Sequence, residues 1–465
     1  MTKTRRLDEI PYCPDGGALF ERIRHLPGAI LLDSSRVHGG NGRFDIMSAC
    51  PDDTDLPRLS MPLDEAACRA WFSDLRDFHR RRYGAPQPAA ADLPFSGGLL
   101  GYIGYDCGNG LNRVTPARIA GATYPPTAPA ALLRAYDWAV VQDHVLRRAV
   151  LVTQPWVQPT QRTDLLLRLH DSAPVDENPE FGLNSTFLSN LTSQQYRDAF
   201  EKIQAYLLAG DCYQVNLAQR FSAGFTGDPW HAYRLLRRTA AAPFSAYITL
   251  AQKEAVLSLS PERFISLQRG RVETSPIKGT RPRHSDPLLD RQAARELRAS
   301  DKDRAENLMI VDLLRNDLGR SCEPGSIRVE RLFDVHSYPT VHHLVSTISG
   351  TLSDGRGAFD LLRDGFPGGS ITGAPKRRAM QIIAELEPHP RQVYCGSVLY
   401  VSADGRMDSN IAIRTLLCQA GEVHCWSGGG IVADSHWQDE LQETHDKVGR
   451  FLALLQFGVA GCSRP

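Results

Sequence analysis

The chain has 465 residues, enough for two or three ordinary domains or for one unit built on large sheets, so length alone does not choose between them. Lysine plus arginine equals aspartate plus glutamate at 53 each, which excludes a global field for nucleic acid or an anionic membrane and leaves any anionic ligand to local groups. Ten cysteines without a CxxC pair, no apolar core of signal-peptide length behind the basic start and no apolar run able to span a bilayer predict a reduced, cytoplasmic protein that is neither secreted nor membrane-embedded.

Through residue 150 the sequence consists of short apolar runs cut by glycine, proline and aspartate: GAILLD, GGLLGYIGYD, YDWAVVQDH and RRAVLVT. One helical stretch at 64–84 interrupts them, and the pattern predicts a strand-rich α+β region. Between 154 and 190, four prolines and the short amphipathic run TDLLLRLH predict a surface excursion or linker, with a boundary near 185 that divides region 1–185 from region 186–458. The two regions are expected to intertwine as one folding unit. At Thr192 a threonine cap precedes Tyr196, Phe200, Ile203, Tyr206 and Leu207, which is helical spacing ending at Gly210. Beyond it the β-like runs SAYITL, AVLSLS, RFISLQ, SVLYVS and IAIRTLLCQ alternate with helices expected at about 303–318, 374–387 and 437–457. No GxGxxG follows a strand, and FPGGSITGAPK lacks the Gly-Lys-Ser/Thr ending of a P-loop, so neither nucleotide-binding motif is supported.

The octapeptide Ser275 to Pro282, SPIKGTRP, sets Lys278 between a proline-fixed strand end and a glycine. An amine at such a turn can be aimed at a ligand rather than into water. Free lysine titrates near ~10.4, so a nucleophilic role requires a dry or cation-rich pocket. By itself the motif also fits a solvated loop cation.

Its surroundings narrow the choice. The segments SLSPERF (258–264), SPIKGTRPR (275–283), DRAENLMIVDLLRNDLGR (303–320), VHHLVSTISG (341–350), FPGGSITGAPKRRAM (366–380), IAIRT (411–415), SGGGIVADS (427–435) and QETHDKV (442–448) cover about residues 190–455. In this order they resemble the chorismate-utilising enzymes, the family of anthranilate synthase component I, isochorismate synthase, salicylate synthase and the folate-branch synthases that aminate chorismate. The resemblance implies an α+β fold of two large packed antiparallel sheets flanked by helices, with the active site between them. Anthranilate synthases of the family carry alanine where this chain has Lys278, whereas the folate-branch members carry lysine in PIKGT. The resemblance therefore implies amination at C4 through a covalent lysyl intermediate, on the route to para-aminobenzoate and folate; the alternative is anthranilate synthesis.

Site residues follow from the same blocks. A dianionic substrate beside several carboxylates makes sense with a cation between them, and Mg²⁺ prefers an oxygen shell of carboxylates, substrate and water. Glu440 and Glu443 are three apart on one predicted helix face with Lys447 a turn beyond, and Glu306 lies on another helix. Glu306 and Glu443 match the family's metal ligands, and Glu440 would act through water. Glu262, after a proline at the end of AVLSLS, is the candidate general acid, since desolvation raises a carboxyl toward useful acidity; otherwise it is a surface partner of Arg263. His343 matches the histidine beside the substrate ring, while His342 points the other way in a strand; a core histidine is the plainer account. Arg414 and Tyr400 match the pair that takes the enolpyruvyl carboxylate, for which a planar guanidinium is suited. Gly428, Gly429 and Gly430 allow backbone N–H groups to approach an anion, or simply form a turn. Thr372 and Gly373 match another substrate loop, and Lys376 or Lys447 could add positive potential.

The missing reactant is ammonia. No glutamine amidotransferase triad is present, and Cys212 in GDCYQV lacks the glycine elbow of such a nucleophile, so a separate glutaminase subunit in a heterodimer is expected. LLDSSRVHGGNGRFDI at 31–46 resembles the segment that forms the family's tryptophan pocket together with PFSAY at 243–247. Ser34, Arg43, Phe44, Pro243, Phe244 and Ser245 match it, and a simple packed core is the competing account. A catalytically silent subunit that binds chorismate or tryptophan is the rival from another class, and the presence of Glu262, Lys278, Glu306 and Glu443 argues against it.

Overall fold

The structure, a computed structural model, describes residues 5–36, 42–59, 61–84, 93–115, 128–171, 178–338 and 341–461. Residues 37–41 of the 31–46 segment, 172–177 of the expected excursion and Cys462 lie outside the described residues.

Among the described residues two antiparallel sheets, of 13 and nine strands, carry the chain. The larger runs from Arg6–Ile10 through Arg148–Thr153, Trp138–Asp143, Phe44–Ser48, Ile30–Asp33, Phe244–Ala251, Glu254–Ser260, Thr415–Gln419, Glu422–Ile431 and Gln214–Thr226 to Gly373–Ala374. The smaller contains Ile277–Pro282, Val341–Thr351, Arg271–Thr274, Arg263–Gln268, Met407–Asn410, Ser397–Ser402, Gly98–Ile103 and Ala131–Tyr136, with Arg328–Ser337 beside Val341–Thr351. Each sheet takes strands from both sides of residue 185.

One core joins the sheets: Ile30, Ile46, Ala246 and Val256 of the larger meet Leu99, Ile265, Val272 and Leu399 of the smaller. The other face of the larger sheet is covered by helices Pro229–Ala240, through Trp230, Tyr233 and Leu236, and Trp437–Gly461, through Val448, Phe451 and Leu454. Covered on both faces, a strand such as Glu254–Ser260 is apolar or small along its length instead of alternating. The protein is thus α+β, with helices outside two packed sheets.

Local signals explain the helix ends. Thr192 and Gln195 form a reciprocal capping box at the start of Ser193–Leu208. Asp64 caps Glu65–Tyr83 and Ser300 caps Asp301–Gly319. The expected helix at 374–387 begins only at Lys376, after Pro375, and the last helix, Trp437–Gly461, is interrupted at Gly458 with φ +66°. TDLLLRLH, expected in a linker, lies in the helix Pro159–His170. Two helices that apolar spacing did not predict, Pro229–Ala240 and Pro287–Ala299, each follow a capping aspartate with proline in the first turn, a start signal present in the sequence. Among the described residues no helix is long and apolar enough to cross a membrane.

Candidate active site

The site forms where a strand is broken. Arg271–Thr274 and Ile277–Pro282 pair in succession along one edge of Val341–Thr351, separated by Ser275 and Pro276. Only the first of them also pairs with Arg263–Gln268, so the sheet opens beside Ile277. Glu262 fills that opening, 6% exposed, with its carboxyl accepting the Ser370 hydroxyl and the Ile277 backbone N–H. Burial pushes this carboxyl up to about 7, against the opposing effects of the Ser370 hydrogen bond and the Lys278 charge. The competing expectation, a surface partner for Arg263, does not hold: Arg263 pairs with Asp408 and Glu273.

Lys278 is half-buried on the same strand, one residue beyond Ile277. A bulge follows it at Gly279, whose φ of +78° suits glycine, and a Cβ there would lie 2.8 Å from Leu297 Cδ1 and 2.9 Å from Asp303 Oδ1. The ammonium charge of Lys278 favours the ionised forms of Glu262, Glu306 and Glu443. After the bulge, Thr280 faces His343, with Oγ1 and Nδ1 2.9 Å apart. Burial, then the Arg414 charge, pushes His343 down to about 4, so the imidazole is neutral at pH 7. His342 turns the other way, to Ser337 at 2.8 Å and Asp290 at 3.0 Å, as strand alternation requires.

Three carboxylates converge from two helices. Burial, with the Asp303 and Glu443 charges, raises Glu306, against the opposing charges of Lys278 and Lys302. Glu440 is buried and also raised, chiefly by desolvation, while its Oε1 accepts the Ser435 hydroxyl at 2.7 Å. Glu443 is lowered: burial opposes ionisation, but Lys447 at 2.6 Å overcomes it. All three acids therefore sense one another or shared cations. Among the described residues no three acid, histidine or cysteine side chains are already gathered at metal-binding spacing. Mg²⁺ commonly takes only one or two carboxylates and completes its shell with water and substrate, so the donor set fits it.

The glycines of 428–430 are not a turn. They lie within strand Glu422–Ile431, opposite Ala218, Leu217 and Asn216. A Cβ on Gly429 would sit 2.8 Å from Glu440 Oε2 and 3.9 Å from both Glu443 Oε1 and Lys447 Nζ, so the missing side chain is the space these groups share. Lys447 Nζ also donates to Gly428 O at 2.9 Å. Lys376 supplies no such potential: its ammonium is buried against Asp317 at 2.7 Å and Gly365 O at 2.8 Å. Thr372 is fully buried, its hydroxyl bonded to Gly368 O and its carbonyl to Asn216 N, and Gly373 pairs with Val215.

Arg414 follows IAI in the left-handed region, with φ +50°, and burial pushes its pKa down from the ordinary arginine value. Among the described residues its guanidinium has no hydrogen-bond or ion-pair partner. A desolvated cation in a strained backbone, without a counter-ion, is suited to a carboxylate ligand. Tyr400 is 8% exposed, packs edge-on against Phe95 and lies in the fields of Asp408 and Arg263.

The 31–46 and 243–247 segments do meet. Asp33 pairs with Ser245 in adjacent strands, and Ser35 Oγ lies 3.3 Å from Ser245 Oγ. Ser34 gives both its N–H and its hydroxyl to Asp45 Oδ1, and Asp45 Oδ2 contacts His144 at 2.8 Å. Arg43 is paired with Asp143 and lies over the Phe44 ring. Phe244 and Ile277 line one cavity of about 510 Å³, with Pro261, Ser275 and Tyr338; Pro243 precedes it at the strand start. Lys302, Ser370 and Ser435 are site groups that the motifs did not single out; each becomes visible only through a partner distant in sequence or across a turn.

A buried acid, a half-buried amine on the adjoining strand, a neutral histidine, carboxylates from two helices and an arginine unpaired among the described residues make up the candidate site. The family model described as chorismate binding enzyme matches residues 54–453, and the chain belongs to that family. It is 45% identical over 461 residues to aminodeoxychorismate synthase component 1 of Salmonella typhimurium, covering 96% of this chain and 97% of the relative. The protein of that name from Klebsiella aerogenes is 46% identical, with 96% and 98% covered. The crystal structure of anthranilate synthase component I from Streptococcus pneumoniae superposes with a TM-score of 0.71 at 28% identity, covering 96% of this chain and 92% of that one.

Proposed function

We propose that the chain catalyses the amination of chorismate at C4, giving 4-amino-4-deoxychorismate for para-aminobenzoate synthesis, with ammonia supplied by a separate glutamine amidotransferase subunit. The names of the two relatives support this reaction, and "component 1" in them supports a second component. The observation that carries the reading within this chain is the position of Lys278 beside Glu262 at the strand break. Amination at C2, as in anthranilate synthases, would leave that lysine without a role.

Glu306 and Glu443, with Glu440 through water, would hold Mg²⁺, which when bound neutralises the ring carboxylate of the substrate. Arg414, with Tyr400, orients the enolpyruvyl carboxylate, while Thr372, Gly373 and Gly428–Gly430 shape the wall. The Lys278 amine forms a bond to C2, the ring double bonds shift, and the C4–O bond breaks, the hydroxyl leaving as water with the Glu262 proton. Ammonia nitrogen then bonds to C4, the double bonds shift back, and the C2–N bond to Lys278 breaks; the Glu262 carboxylate recovers a proton from the new C4 ammonium. His343, uncharged, borders the ring without adding a cation there. A cytoplasmic setting is part of the same proposal. Bound tryptophan beside Ser34, Phe44 and Ser245 completes the proposal. Intact-mass analysis after chorismate addition without ammonia tests it: wild type should carry a lysyl adduct that Lys278→Ala lacks. The same adduct on the variant would exclude the assignment.

A further inference from the structure

The turn that carries Ser370 is itself held by a buried fork that no motif identified. Arg391 is 1% exposed, yet every arm of its guanidinium is engaged. Nε donates to Glu387 Oε2 at 2.9 Å and NH2 to Glu387 Oε1 at 2.6 Å, a bidentate pair. NH1 donates to Ile371 O at 2.9 Å, and NH2 also to Asn216 O at 2.8 Å. The guanidinium lies over the Tyr105 ring, 4.7 Å from its centroid.

Those two carbonyls belong to different walls of the site. Ile371 ends the turn Gly369–Ile371, which contains Ser370, and Asn216 lies in the strand opposite Gly430. Asn216 N also donates to Thr372 O at 2.9 Å, and Ala218 N donates to Glu387 Oε1 at 2.9 Å. The turn, the strand and the helix-end acid are thereby locked into one unit. An isolated buried ion pair is weak evidence for stability, because desolvation offsets its attraction. Here its geometry connects the wall that carries Ser370 to the wall behind Gly429.

We propose that Arg391 is a positioning residue, whose fork on Ile371 O and Asn216 O sets the distance at which the Ser370 hydroxyl meets the Glu262 carboxyl. Lysine cannot reproduce this role, since a single ammonium cannot engage Glu387 twice and two divergent carbonyls together. The inference rests on the reading of Glu262 as the acid of the reaction. The charged and titratable groups that face Glu262 are Lys278, Lys447 and the Cys395 thiol, and none of them is altered by the change proposed. Loss of the Ser370 contact removes a bond that favours the ionised carboxyl, so the acid should titrate higher.

The test is the pH profile of kcat for chorismate amination with ammonium, for wild type, Arg391→Lys, Ser370→Ala and the double variant, with melting temperatures measured in parallel. Arg391→Lys should lower kcat about tenfold or more at unchanged KM and move the profile's Glu262 midpoint upward. Ser370→Ala should move it in the same direction, and the double variant should move it no further. A folded Arg391→Lys protein with a lower melting temperature and an unmoved midpoint would overturn the proposal, leaving a purely structural pair. If Arg391→Lys does not fold, Glu387→Gln, which keeps the arginine but weakens its anchor, is read by the same two criteria. Glu262→Gln, assayed alongside, separates the two claims: if it retains full activity, the acid assignment fails independently of Arg391.

Discussion

The Glu262 carboxyl accepts the backbone N–H of Ile277, the residue immediately before Lys278. The candidate acid thus faces the strand that carries the candidate nucleophile. That contact links pH, activity and stability in a single residue.

Burial raises Glu262 from 4.5 to about 7, so its neutral form is favoured in the folded state. Between those values the native protein binds more protons than the unfolded chain, and stability falls as pH rises through the window, by up to about 3 kcal/mol. Glu262→Gln should therefore melt higher than wild type at pH 8, while kcat falls about 10²-fold or more. Thermal unfolding at pH 5 and pH 8 checks the sign; a variant less stable than wild type at pH 8 would count against the buried, neutral acid.

Among the described residues Arg414 has no counter-ion, so replacing it should cost substrate binding rather than fold. Arg414→Lys keeps a charge but loses the planar fork, and kcat/KM for chorismate should drop about 30-fold or more with little change in melting temperature. Steady-state kinetics and a melting curve on the same preparation decide it.

Gly429 occupies the space into which Glu440, Glu443 and Lys447 converge. Gly429→Ala should raise the Mg²⁺ concentration for half-maximal activity about tenfold, as should Glu306→Gln and Glu443→Gln by at least that factor. A magnesium titration of ammonium-dependent turnover reads this directly, and an unchanged midpoint in Glu443→Gln would remove that residue from the metal site.

In the amino-terminal region, burial alone would push His144 down, but the hydrogen bond and charge of Asp45 more than offset it and the imidazole is raised above 6.5. A raised histidine stabilises the folded state below its unfolded pKa and loses that contribution as pH rises through the folded value. His144→Gln should thus be destabilised by about 1–3 kcal/mol at pH 6 and by less at pH 9, measured by denaturant unfolding. Equal losses at both pH values would show that the pair is neutral.

The candidate-site blocks were legible as short contiguous motifs: SPERF carries Glu262, PIKGT carries Lys278 and IRT carries Arg414, each near a strand end. Partnerships made only by tertiary folding were not. Lys376 looked like a free cation since Asp317, which neutralises it, is remote in sequence, and Lys302 and Ser370 gained meaning only beside Glu443 and Glu262. Three consecutive glycines predict a turn from backbone freedom, whereas at Gly429 the glycine admits carboxylates from a helix packed on the strand. The fold class followed from the apolar runs and the motif resemblance together, while the strand order, which interleaves early and late segments, has no local signal.

The central claim is the site of amination, and product analysis tests it most directly. The purified chain alone, given chorismate, Mg²⁺ and an ammonium salt at mildly alkaline pH, is analysed by chromatography with mass detection. The account predicts an amine of chorismate that retains its enolpyruvyl group and that a downstream lyase converts to 4-aminobenzoate. Anthranilate and pyruvate in its place would contradict the role given to Lys278.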